Sequence, residues 1–412
     1  MMRAWWTILL MAITLTVEAQ PQSGELTTDR GDTLRYRYVP LASTTDALHD
    51  AATTQPSAKK QGFLRRVVDY FEQSAVDRTY EKGFDITFAG GPSYSKTTKL
   101  GLGLLGSGLY RLDRTDSLTS PSDLTLYANV ATSGFYSVGV MGNTIFRHNR
   151  RRMDYDVSFS SSPRDMWGIG YKAGRTNPAR EIVEQCYAIN ARFLQRMWRN
   201  TYAGVLLDFN HTNGRDFDDE SIAYINGQKR SYTATGIGLL LEYDSRDFIP
   251  NPAHGLYVSV QETFYARALG NCDRSLWRTQ VTLDGYQRLW PSGLLAADLF
   301  AEFNSDGTPW TMLARLGGEE RMRGYYYGRY TDNNMIVCQL ELRQHLWRRF
   351  GCVVWGGAGS VFPEMKRFAW SEVLPNYGVG LRWELKQRVN VRMDYGFGRA
   401  TSGFLLSINE AF

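Results

Sequence analysis

The sequence predicts an all-β chain, a transmembrane antiparallel β-barrel of about sixteen strands with a short N-terminal periplasmic extension. Three observations predict it. The chain opens on an apolar leader. No later stretch is long and apolar enough for a membrane helix. From Gly83 onward, apolar and polar residues alternate with a period of two almost to the last residue.

The leader reads as a signal peptide over residues 1–19. Arg3 supplies the positive charge, Ala4 to Val17 the apolar core, and Val17-Glu18-Ala19 the small-x-small site, with cleavage after Ala19. No cysteine lies near that cut, which argues against a lipid anchor. Residues 20–82 read as a flexible periplasmic segment, rich in Thr, Ser, Ala, Asp and Pro up to about Lys60. Within it, residues 61–71 carry a helical pattern, with Phe63, Val67 and Tyr70 on one face and Leu64, Val68 and Phe71 beside them.

Residues 83–412 form the barrel. Tyr377, Val379, Leu381, Trp383 and Leu385 alternate with Gly378, Gly380, Arg382 and Glu384, and three residues later Val389, Val391, Met393, Tyr395 and Phe397 alternate with Asn390, Arg392, Asp394 and Gly396. Two such runs across a short turn make a hairpin. Working back from the C-terminus gives strands near 403–412, 389–398, 376–386, 351–361, 334–346, 293–303, 275–290 and 256–268. Eight more fall near 232–244, 201–212, 183–195, 151–161, 134–146, 122–132, 99–110 and 83–90. Periodicity is poorest over 162–200. The polar register carries Asp154, Asp156, Glu341, Arg343, Arg382, Glu384, Arg392 and Asp394, too many charges for the dry core of a soluble sandwich. A wet lumen inside a closed sheet accommodates them. Composition agrees: 13% aromatic residues, 39 glycines and a mean hydropathy of −0.36 suit strands that show lipid only every second residue.

Several function classes are disfavoured. The four cysteines are scattered without metal or disulfide spacing, and no metal or cofactor is expected. The five histidines stand in no nucleophile motif and G-x-S-x-G is absent, so no enzymatic activity is expected. The net charge of +5 is modest, and no nucleic-acid partner is expected. The acidic run Asp216 to Glu220 reads as a solvated loop, and Trp167-Gly-Ile-Gly-Tyr171 carries no assigned chemistry.

Two segments go beyond a generic barrel. Asp244-Ser-Arg246-Asp247, followed by Pro252 and Gly255, suits a tight periplasmic turn in which Asp side chains cap amides and Arg246 meets a carboxylate. Met322-Arg323-Gly324-Tyr325 sits in a Gly- and Tyr-rich loop between the eleventh and twelfth strands. Together these segments resemble the BamA/TamA superfamily, or bacterial surface antigen family, whose sixth external loop carries a hydrophobic-Arg-Gly-aromatic tetrad. The resemblance implies that the loop folds back into the barrel and that Arg323 meets acidic groups on the inner wall. Glu341, Glu384 and Asp394 in the inward register are the candidate partners. The chain departs from the family in the strand at 351–361, where Trp355-Gly-Gly357-Ala-Gly359 stands in place of Asp-x-Gly. The terminal register of Phe404, Leu406, Ile408 and Phe412 resembles the signal by which outer-membrane barrels reach their insertion machinery, with Glu410 out of pattern.

The resemblance implies an outer membrane of a Gram-negative cell as the location, with lipids and lipopolysaccharide around the barrel. It further implies a role in inserting, folding or exporting outer-membrane components through a lateral seam between the first and last strands. Residues 20–82 leave no room for a normal POTRA (polypeptide-transport-associated) domain, so periplasmic POTRA-type or lipoprotein partners and nascent outer-membrane proteins are expected to meet this barrel. A passive channel, or a structural barrel with a loop-plugged lumen, is the alternative.

Overall fold

The computed structural model describes residues 26–27, 33–34 and 83–412, apart from 114, 117, 118, 250 and 387. The expected signal peptide and the helix at 61–71 lie outside the described residues. So does the rest of the 20–82 segment, except that Leu26–Thr27 pairs antiparallel with Thr33–Leu34.

Sixteen strands close into one antiparallel barrel in chain order. They are β1 (Asp85–Ser95), β2 (Lys99–Tyr110), β3 (Ser122–Ala131), β4 (Tyr136–Ile145), β5 (Arg151–Met166), β6 (Arg180–Trp198), β7 (Thr201–Arg215) and β8 (Ser231–Asp244). There follow β9 (Gly255–Tyr265), β10 (Leu276–Trp290), β11 (Gly293–Asn304), β12 (Asn334–Trp347), β13 (Phe350–Phe362), β14 (Leu374–Lys386), β15 (Val389–Gly398) and β16 (Thr401–Ile408).

The period-two pattern sorts the side chains as a membrane barrel requires. On β14, Tyr377, Val379 and Leu381 are each 56% exposed, whereas Asn376 and Arg382 are buried. On β8, Ile237, Leu239 and Leu241 point outward, and Leu240 and Glu242 inward. An apolar belt of this extent, repeated around the wall, is stable only against hydrocarbon. Trp198, Trp290 and Trp347 end β6, β10 and β12 at the short periplasmic turns, all exposed, as an aromatic girdle at the membrane surface.

Four strands depart most from the sequence expectation. β1 does not stop before Gly91-Pro92 but continues to Ser95. Proline donates no ladder bond and is tolerated where a strand has little pairing on one side. β1 meets that condition, because it pairs fully with β2 but joins β16 only at Leu406↔Tyr94. β5 and β6 are longer than the 151–161 and 183–195 expected. The added outer end of β5 carries the buried Arg164 and that of β6 the buried Ile182, so no apolar outward register marks them. β16 stops at Ile408, where Asn409 turns the chain with a left-handed φ of 70°.

The interior differs from a simple wet lumen. Loops pack into its outer half. One apolar cluster joins Ile182, Ile225, Leu276, Trp310 and Met312, and a second joins Leu316, Met322, Tyr325, Val337 and Leu374. The second belongs to the loop between β11 and β12, residues 305–333, whose short strands Ala314–Leu316 and Tyr330–Asp332 pair with each other. Leu239→Arg, in the middle of β8's lipid face, should destabilise the barrel by about 2–4 kcal/mol, checked by reversible unfolding in lipid vesicles.

Candidate functional site

The 305–333 loop turns back at Met322-Arg323-Gly324-Tyr325, and backbone geometry makes this possible. Gly324 has a φ of 99° and lies against Gly396 of β15, so a Cβ on either glycine would strike the other strand's backbone. This close approach drives Arg323 deep into the barrel, where it is fully buried.

The guanidinium of Arg323 is held on three sides. Nη2 donates to Glu341 Oε2 of β12 at 2.5 Å, and Nη1 to Asp394 Oδ2 of β15 at 2.9 Å. Its Cζ lies 3.7 Å from the centre of the Trp355 ring on β13. Trp355 occupies the strand in which the family pattern has a carboxylate, so an aromatic face takes part of that role through a cation–π contact. Asn376 of β14 donates to the Arg323 carbonyl at 2.5 Å. The network continues outward: Arg343 Nε donates to Glu341 Oε1 at 2.7 Å, and Arg382 Nη1 to Asp394 Oδ1 at 2.5 Å. Glu384 is not part of it. It lies at the periplasmic end of β14 and accepts from the Arg388 amide at 2.9 Å.

The flanking residues fix the loop further. Tyr325 Oη donates to Pro375 O at 2.8 Å and accepts from the Arg399 amide at 2.6 Å. Met322 packs in the second apolar cluster. Arg321 forms a bidentate pair with Asp298 of β11, with contacts of 2.9 to 3.1 Å, and stacks on Phe300.

The turn between β8 and β9 forms a second constellation. Arg246 grips Asp244 with Nε at 3.0 Å and Nη2 at 2.8 Å, and its guanidinium covers the Tyr257 ring. Asp247 Oδ1 accepts from the amides of Ala253 and His254, which closes the loop containing Pro252. Gly255 has a φ of 117° and backs onto Ser245 and Arg246, so only glycine fits there. Asp247 Oδ2 also reaches Arg388 of the β14–β15 turn at 2.8 Å. This turn therefore crosses the periplasmic mouth.

With this geometry in view, the relatives are informative. The Omp85 superfamily domain matches residues 128–412. The chain belongs to the Omp85 superfamily. No curated protein sequence matches this Omp85 chain significantly. Among solved structures, it is similar to BamA from Haemophilus ducreyi lacking POTRA domains 1–3, at 12% identity and a TM-score of 0.56, covering 80% of this chain and 70% of that one. It is also similar to CdiB from Escherichia coli, at 13% identity and a TM-score of 0.57, covering 79% of this chain and 62% of that one. CdiB from Acinetobacter baumannii matches at 11% identity and a TM-score of 0.51, covering 79% of this chain and 59% of that one. The chain thus spans about three fifths of the CdiB chains it matches. The protein is an integral barrel of the Gram-negative outer membrane.

The end of this Omp85 barrel is arranged differently from one continuous terminal strand. Phe404 and Ile408 face outward on β16, with Leu406 half-buried and joined to Tyr94. Phe412 leaves that register and lies under the Arg343 guanidinium inside the barrel. Glu410, the residue out of pattern, is buried and accepts from Arg382 Nε at 2.8 Å and Asn390 at 2.6 Å. A carboxylate suits that position because the segment turns inward, where an apolar residue would leave Arg382 short of a partner.

Sequence reasoning missed part of the loop's seat. Trp167-Gly-Ile-Gly-Tyr171 leads into a one-turn helix, Tyr171–Thr176, that docks on the Omp85 loop. The Gly170 amide donates to Thr331 O at 2.7 Å, Arg329 Nε donates to Gly174 O at 3.0 Å, and Tyr171 stacks on Tyr330. Two glycines between aromatics were the available signal, and both adopt a φ of 98°. Glu184 likewise holds Arg164 and Arg315, but nothing in the sequence links these three.

Two predictions follow from this geometry. Arg323→Leu strands Glu341 and Asp394 in a buried site and should cost about 3–5 kcal/mol, whereas Trp355→Leu should cost about 1–2 kcal/mol, both by urea unfolding in detergent. At the periplasmic turn, burial pushes the Asp247 carboxyl up, but the Ala253 amide, the Arg388 guanidinium and the His254 amide outweigh it and hold the group below its ordinary value. A depressed folded-state pKa gives stability that is present above the unfolded value and is lost as pH falls through the folded one. Limited proteolysis of the 245–254 turn should therefore accelerate only below the usual carboxylate range, and Asp247→Asn should remove that dependence.

Proposed function

We propose that this barrel inserts or exports other outer-membrane polypeptides, using the junction of β1 and β16 as a lateral seam and making no covalent change to its clients. One observation carries the reading. Among the described residues, every other neighbouring pair of strands shares a long ladder, whereas β16 and β1 share the single register pair Leu406↔Tyr94. Backbone groups facing hydrocarbon without partners cost several kcal/mol each, so a barrel retains such a junction only where another strand completes it. An incoming chain can add there by the same ladder that holds the wall together.

The contacts around the junction support opening from one end. At the outer end, Lys96 Nζ of the β1–β2 turn donates to Thr401 Oγ1 at 2.6 Å and Ser402 O at 3.1 Å, and the Tyr94 and Phe404 rings meet. Towards the periplasm, Phe84, Ile86 and Phe88 are exposed on the β1 side of the junction. The Omp85 loop touches both flanks: the Tyr327 amide donates to Thr97 Oγ1 at 3.2 Å, and Thr401 Oγ1 donates to Gly324 O at 3.1 Å. Movement of the loop and parting of the seam are thereby mechanically linked. The clients are nascent outer-membrane proteins, delivered by periplasmic POTRA-bearing or lipoprotein partners.

A covalent lock tests this. A Cβ at Gly91 lies 4.0 Å from the Ile408 side chain across the seam. In a background with Cys186, Cys272, Cys338 and Cys352 replaced by serine, Gly91→Cys with Ile408→Cys joined by a short cleavable dithiol linker should stop a denatured outer-membrane barrel from folding into proteoliposomes. Cleavage of the linker should restore it. Full activity of the locked protein would eliminate the seam.

A further inference from the structure

The turn that crosses the periplasmic mouth covers a cavity of about 220 Å³. Its walls come from that turn (Asn251 to Ala253), from the β10–β11, β12–β13 and β14–β15 turns, and from Glu410. The lining is strongly basic: Arg288, Arg343, Arg349, Arg382 and Arg388 against Glu384 and Glu410. Arg343 and Arg382 are more than nine-tenths buried, yet among the described residues Arg343 Nη1 and Arg382 Nη2 find no acceptor within hydrogen-bond reach. Arg382 Nη2 lies 4.0 Å from a Glu341 carboxylate oxygen, beyond hydrogen-bond reach.

We propose that this cavity is a carboxylate-binding pocket facing the periplasm, and that its ligand is an acidic side chain of an unfolded polypeptide arriving there. The proposal rests on the insertion or export reading given above. Buried guanidinium groups with spare N–H donors are matched best by carboxylates, whose two oxygens fit the planar fork. A polypeptide is favoured over a free anion because these groups already hold polypeptide. The Glu410 carboxylate lies between Arg382 and Asn390, and Phe412 O accepts from Arg343 Nη2 at 2.8 Å. A second acidic side chain extends the same arrangement toward the mouth. The Asp247–Arg388 pair gates access, because it ties the covering turn to the far side of the opening.

The probe is a dansyl-labelled decapeptide of alternating Glu and Ala, bound to the full-length protein in detergent at low salt, beside a Lys–Ala counterpart and inorganic phosphate as competitor. The acidic peptide should bind, the basic one should not, and raised salt should weaken binding. Arg382→Gln should weaken it about tenfold or more. Because Arg382 also supports Asp394 and Glu410, Arg288→Gln on the rim, which touches neither, is the second variant and should weaken it several-fold. Equal binding of both peptides, unchanged affinity in both variants, or phosphate competing at the peptide's own concentration would overturn the pocket. Loss of peptide binding with insertion intact counts against the pocket alone, whereas peptide binding by a protein inactive in insertion supports the pocket and counts against the seam.

Discussion

Hydrocarbon offers a polypeptide nothing to hydrogen-bond with, and most of this architecture follows from that deficit. Each strand must satisfy its amides and carbonyls on both sides, which forces the sheet to close on itself. Fifteen of the junctions meet the demand with long ladders, and the sixteenth, between β16 and β1, does not. The shortfall falls at the one place where the two ends of the sheet meet, beside an outer lysine contact and a loop that touches both flanks. Closure and incompleteness are thus two sides of one constraint, and the proposed insertion or export of other chains rests on the second.

Closure has a further consequence inside. Side chains that avoid lipid are gathered into a small volume, and there a charge is stable only if it is paired. Arg323 reaches that volume from a loop, and its position is fixed from the wall by Glu341, Asp394 and the Trp355 ring. The loop is therefore pinned to the wall at this point. Arg321 with Asp298, and Arg315 and Arg164 with Glu184, repeat the device at other points of the same loop and its seat. Towards the periplasm the same chemistry is less complete, since Arg343 and Arg382 retain spare donors.

Much of this was legible in the chain, and the reason is the short range of the signals. A strand that faces lipid on one side and the lumen on the other repeats every two residues, so β14 and β15 could be read to within a residue or two. Arg323 and Gly324 were readable as a motif. Legibility failed where the second face ceased to be lipid. The outer ends of β5 and β6 lost their period because loops and solvent replaced hydrocarbon there. The first strand read as 83–90 and ran on through Pro92 because a sequence does not say which flank of a strand has little pairing. Phe412 looked like a strand residue because the left-handed turn at Asn409 has no marker strong enough to interrupt the alternation.

By itself the sequence determined the architecture, the strand count and the identity of the inward-facing charges, because periodicity, turn chemistry and desolvation cost are local properties. Tertiary structure alone decided which charges meet. Glu341, Glu384 and Asp394 share an inward register, yet only the first and last reach Arg323. Partnership across a lumen depends on height and on curvature around the axis. Both are set when the whole sheet closes, and neither is encoded in the spacing along any one strand.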